Sequence, residues 1–115
     1  MNVQQIDELL GLPARLAICL SLADGQSLTF TELKQVTGLA DGNLHVQCGK
    51  LVEGGYLSRE KVSSGGRRVT CFTLLPLGRQ RLRELAGLIG AALRASRTAA
   101  PSGATGRGRD DSMVW

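Results

Sequence analysis

The apolar positions of this chain change their period once, and that change divides it into elements. Leu9, Leu10, Leu16, Ala17, Leu20 and Ala23 recur at steps of three and four residues, the stripe of an amphipathic helix. Pro13 falls inside that stripe, so the helix is expected to begin there and run to Ala23, with a separate short helical segment before Leu12. Asp24-Gly25 then supplies a turn. Thr29 and Glu32 have the spacing of a capping box, in which each side chain satisfies a backbone N–H of the first turn. Phe30, Leu33 and Val36 give the apolar stripe of a short second helix, and Gly38 is its left-handed stop. A third helix is expected over Asp41 to Glu53, with Leu44, Cys48 and Leu51 on its buried face and Gly54-Gly55 closing it. Only Thr37-Gly38-Leu39-Ala40 separates the second helix from the third, which is the spacing of a helix-turn-helix.

After Gly55 the period falls to two. Tyr56 to Val62 and Val69 to Leu74 read as strands, joined through Ser63-Ser64-Gly65-Gly66-Arg67-Arg68 as a hairpin with a flexible, basic, glycine-rich tip. Pro76 opens a last helix in which Leu82, Leu85, Ile89 and Leu93 recur near heptad spacing. The fold class expected is therefore mainly α with a small β-hairpin wing (α+β), in the order helix-helix-helix-strand-strand-helix. One domain is expected over 1–97, and 98–115, without periodicity and rich in small and polar residues, reads as a disordered tail.

Charge sharpens this picture. Residues 1–55 carry three basic groups against six acidic ones, whereas residues 56–115 carry eleven against four. A basic half suits a polyanionic partner. Aromatic residues are few, so the core must be aliphatic. No stretch of apolar residues is long enough for a membrane span, and Asp7 and Glu8 in the opening segment are unlike a secretory signal, so a cytoplasmic location is expected. Cys19, Cys48 and Cys71 are widely spaced and His45 is the one histidine, which leaves no zinc-ligand pattern; each cysteine lies in an apolar context and reads as core. No metal and no cofactor are expected. A nucleophile–base pair, paired carboxylates with a histidine, or a phosphate-cradling loop followed by Lys are all missing from the sequence, so an enzyme is not indicated.

The stretches FTELKQVTGLADGNL, KLVEGGYL and TLLPLGRQRL, with the basic hairpin between the last two, resemble the winged-helix regulators of the MarR and ArsR groups. The likeness is to a compact subgroup with a GLxxGNLxxHLxxLExxGY core and an LTxxGR opening to the last helix, and it spans about Leu12 to Leu85. It implies a winged helix-turn-helix transcriptional regulator that binds double-stranded DNA. The resemblance makes Gly42, Asn43, His45, Val46 and Gly49 the recognition face of the third helix, with Lys50 the one cation in it. Asn43 would pair with adenine, His45 would donate to a base or phosphate, and Gly42 would let the backbone approach closely. Lys61, Arg67 and Arg68 on the wing would contact phosphate or an adjacent minor groove. A homodimer is expected, its interface drawn from Ile6, Leu9, Leu10, Leu82, Leu85, Ile89 and Leu93. The chain departs from the subgroup at Gln47-Cys48, Gly49, Val52, Ala40 and Leu75. Those departures keep a second reading open, a winged helix used for protein–protein contact; Cys19, Cys48 and Cys71 raise a third, a thiol or metal sensor, with Cys48 on the third helix its foremost candidate. The effector, if there is one, is not legible.

Overall fold

The computed structural model describes residues 3–99, so the tail expected over 98–115 lies outside the described residues except for Thr98 and Ala99, which are helical. After a single 3-10 turn at Val3–Gln5, the elements are α1 (Pro13–Ser21), β1 (Leu28–Thr29), α2 (Phe30–Thr37), α3 (Asp41–Glu53), β2 (Leu57–Ser64), β3 (Arg67–Leu74) and α4 (Pro76–Ala99). This is the expected order with one addition, the two-residue strand β1. It pairs antiparallel with β3, Leu28 opposite Phe72 and Thr29 opposite Cys71, so the sheet has three strands in the order β1-β3-β2. Of the described residues, 3–85 form one compact unit and the α4 residues from Ala86 onward another.

Local chemistry explains the boundaries. Pro13 stands in the first turn of α1, where its missing N–H costs nothing. Thr29 and Glu32 form the capping box at α2: the Glu32 amide donates to Thr29 Oγ1 at 3.1 Å and the Thr29 amide to Glu32 Oε1 at 2.8 Å. Gly38, at φ +73°, takes the left-handed position that ends α2 and turns the chain into α3. The six-residue flexible tip expected for the hairpin is instead a two-residue turn. Gly65 and Gly66 both have positive φ, +60° and +80°, as a type I′ turn requires, and Arg67 and Arg68 are already paired in β3.

Leu10, Ile18, Cys19, Leu22, Leu33, Leu44, Cys48, Leu51, Tyr56, Leu57, Phe72, Leu74 and Leu85 are the buried core of the first unit. Two apolar stripes differ from expectation. In α1 the buried line runs through Ile18, Cys19 and on to Leu22, and Leu20 faces outward. In α2, Val36 is 62% exposed. Each step of three residues drifts about 60° around a helix of 3.6 residues per turn, so Val36 has rotated well away from Phe30 and out of the stripe.

The segment before α1 is tied down by Asp7. Its Oδ1 accepts from the Leu10 amide at 3.0 Å, its Oδ2 accepts from the Tyr56 hydroxyl, and Arg81 Nε lies 3.6 Å from the same oxygen. Burial and the Asp7 carboxylate push the Tyr56 phenol up to about 12. The first turn of α4 is fixed just as closely. The Leu75 amide donates to the Tyr56 carbonyl at 2.9 Å, and Arg79 donates to the Ala23 carbonyl, past the end of α1, at 2.8 Å.

Candidate nucleic-acid interface

Three elements converge on the exposed side of α3. Leu44, Cys48 and Leu51 pin one face of the helix into the core, which turns the remaining positions outward. Two exposed stripes result. Asn43, Val46 and Lys50 follow one line at i, i+3 and i+7, and Val46 is 56% exposed. Gly42 and His45 begin the other, which continues to the half-buried Gly49. Every recognition position expected on α3 is thus on its outer surface, Gly49 only partly. Ala40 is the N-cap and has no side chain to bond the first amides of α3, so those N–H groups remain available to an acceptor from outside. Nearby, Lys34 and Asp41 form an exposed ion pair at 2.7 Å, worth about 0–1 kcal/mol.

The side chains of the two stripes are held differently. His45 lies against Phe30 of α2, with ring centroids 4.9 Å apart and planes tilted by 41°. Asn43 is in a polar chain: Arg15 Nε of α1 donates to Gln47 Oε1 at 2.7 Å, and Gln47 Nε2 donates to Asn43 Oδ1 at 3.0 Å. Neither Gly42 nor Gly49 has any atom within 4 Å of where a Cβ would stand. No packing constraint within the chain demands glycine at either position.

The wing register decides which basic residues share a face. Arg59 pairs with Phe72, Lys61 with Thr70 and Ser63 with Arg68, while Ser64 pairs with Arg67. Side chains alternate along a strand, so Arg59, Lys61 and Arg68 stand on the face that carries Leu57, Phe72 and Leu74 into the core. Arg67 stands on the other face, with Glu60 and Cys71. The two arginines that looked like one basic tip are therefore separated. Near the root of the wing, Phe30, His45, Arg59, Lys61, Thr70 and Phe72 line a groove of about 390 Å³. Arg59 is the residue that sequence reasoning missed, although the period of two counted back from Lys61 points to it.

Cys48 lies on the buried face of α3, not on its outer face. Burial pushes its thiol up to about 11, against a lowering influence from Arg59, and burial with Cys48 and Asp7 nearby pushes Cys19 to about 12. Cys71 is half-buried. Among the described residues no group of three or more His, Cys, Asp or Glu could hold a metal ion, and no helix is long and apolar enough to cross a membrane.

The residues expected at a dimer interface fall into three sets. Leu10 and Leu85 belong to the core of the chain itself, which leaves them little surface to offer a partner. Ile6, Leu9 and Leu82 pack against that core and are partly buried. Ile89 and Leu93, on α4, are 47% and 67% exposed.

A family model described as a winged helix DNA-binding domain matches residues 14–89. No curated protein matches the chain. Among solved structures, the transcriptional regulator homologue protein from Pyrococcus horikoshii OT3 is similar at 22% identity and a TM-score of 0.73, over 81% of this chain and 93% of that one. MarR from E. coli, in its apo form, is similar at 22% identity and a TM-score of 0.65, over 87% and 76%. A complex of S. aureus MepR with DNA is similar at 11% identity and a TM-score of 0.68, over 83% and 77%.

Proposed function

The chain belongs to the winged helix DNA-binding domain family, and on that premise we propose that it is a transcriptional regulator that seats α3 in the major groove. The β2–β3 wing lies along the sugar–phosphate backbone, and the protein acts by binding, without catalysis, in the cytoplasm where its DNA is found. One observation carries this reading: the strand register sets Arg59, Lys61 and Arg68 on a single face, and the groove joins the first two to His45 of the recognition helix. Cations on the wing and polar side chains on the helix divide the work between phosphate and base edges. The names of the similar structures, a transcriptional regulator homologue and a MepR–DNA complex, support it.

A homodimer extends the proposal. A single domain offers few phosphate contacts, and two-fold symmetry would double them on a palindromic site. The exposed Ile89 and Leu93 of α4 are its contact residues. Fluorescence anisotropy with genomic duplexes across a salt series tests the DNA reading. Affinity should fall linearly on a log–log plot, with a slope of about 0.9 per phosphate neutralised. Combined reversal of Arg59 and Lys61 to Glu should weaken binding and flatten the slope. Binding indifferent to both salt and that double reversal sinks the proposal.

Exposed Val36 and Val46 favour a second reading, a winged helix whose α2–α3 surface contacts another protein. Substituting Asp at both valines discriminates: loss of a partner with DNA affinity intact supports that reading.

A further inference from the structure

We infer that Arg15 and Gln47 are positioning residues that decide which end of the Asn43 amide is offered to a DNA base. The inference rests on the proposal that α3 enters the major groove. Its force comes from donor and acceptor chemistry. A guanidinium has donors and no acceptor, so whichever atom of Gln47 sits 2.7 Å from Arg15 Nε must be its oxygen. The Gln47 amide nitrogen is then committed to the other side, where it donates to Asn43 at 3.0 Å. That partner atom must accept, so it is the Asn43 oxygen. The Asn43 amide nitrogen, with two N–H donors, is left facing outward on the exposed stripe that carries Val46 and Lys50.

An arginine on α1, itself half-buried, therefore sets the polarity of a contact made from α3. With its oxygen engaged by Gln47, Asn43 offers donors. The bidentate pairing with adenine expected from its residue type needs the oxygen outward as well. Donors select bases with major-groove acceptors at the contacted position: guanine through O6 and N7, thymine through O4, and adenine more weakly through N7 alone. They discriminate against cytosine, which shows only the N4 donor. Gln47 also acquires a reason to stand where it does. A hydrophobic residue there could fill space but could not carry a hydrogen-bond direction from Arg15 to Asn43.

Selection of binding sites from a randomised duplex pool tests this, with the position read by Asn43 identified as the one whose preference disappears in Asn43→Ala. For the wild type that position should favour guanine or thymine over cytosine by roughly threefold to tenfold. Gln47→Glu reverses the relay. A carboxylate accepts from both neighbours, so the Asn43 amide must turn its nitrogen inward and its oxygen outward, and cytosine should now be preferred. The added charge lowers affinity at every position alike, so the ratio between bases is the readout and not the affinity. Arg15→Met removes the anchor and should bring the two classes of base toward parity. A merely stabilising role for either residue would lower the thermal midpoint and leave the base ratio untouched. The same wild-type preference retained in both Gln47→Glu and Arg15→Met overturns the relay alone. A wild type that selects no sequence overturns the DNA-reading proposal and the relay with it.

Discussion

Gly49 sits in the interior of α3 with open space where a Cβ would be, and Gly78 sits in the first turn of α4 with none. At Gly78 a Cβ would lie 2.6 Å from the Tyr56 carbonyl oxygen and 2.7 Å from Leu74 Cδ1, so the helix passes over the Tyr56 backbone only because that position is bare. The two glycines should therefore respond oppositely to alanine. Gly49→Ala should raise stability in urea unfolding by about 0.5–1 kcal/mol, through backbone entropy and helix propensity. Gly78→Ala should lower it by roughly 1–3 kcal/mol, since backbone cannot yield as a side-chain tip can. Cysteine chemistry follows burial at the same scale. The folded chain holds the Cys19 and Cys48 thiol protons more tightly than the unfolded chain does. Their contribution is complete below pH 9 and is lost as pH rises toward 11 and 12, so stability should fall across that window and not at acid pH. With a thiol reagent at pH 8, the half-buried Cys71 should react first. Cys19 and Cys48 should follow only on unfolding; early labelling of Cys48 would revive a thiol-sensing role.

At the scale of elements, what could be read from the chain depended on how many residues carried each signal. The helices α2 and α3 were legible because capping box, left-handed glycine and the Leu44-Cys48-Leu51 stripe agree on their limits. Strand β1 was not, because two residues are too few to show alternation, and its pairing with Phe72 and Cys71 comes from far along the chain. The tip is basic, as residue type implies, but it is a two-residue turn and not a six-residue loop. Residue type gave the charge, but only the register shows that Arg68 and Arg67 face opposite ways. The turn makes its own prediction. Gly65→Asn should be nearly neutral in thermal unfolding, because Asn tolerates the left-handed region. Gly66→Val should cost about 1–2 kcal/mol, because a β-branched side chain does not. Equal effects at the two positions would mean that the turn is not type I′. The Arg15–Gln47–Asn43 chain had no sequence signal at all: its members come from two helices and are joined only by packing.

At the scale of the whole chain, the uneven charge noted in the sequence resolves into positions. Four of the basic groups of the second half, Arg59, Lys61, Arg67 and Arg68, lie on the wing, while α3 contributes only Lys50. On the proposed reading, affinity and selectivity fall to different elements. Charge reversal of the wing should change binding about equally for all duplexes, whereas substitutions at Asn43 or His45 should change the ranking of duplexes. Assembly makes a separate prediction, testable by sedimentation: Ile89→Asp with Leu93→Asp should yield a monomer without lowering the unfolding midpoint of the core. The two-glycine turn also bears on how the chain acquires its form. A hairpin whose turn is preset can zip up within about 1–10 μs from neighbouring residues alone. The β1–β3 pairing must wait until α2 and α3 have brought distant segments together. Local contacts of this kind are expected to form early, and the small strand β1, a clasp joined across a much longer stretch of chain, to close late.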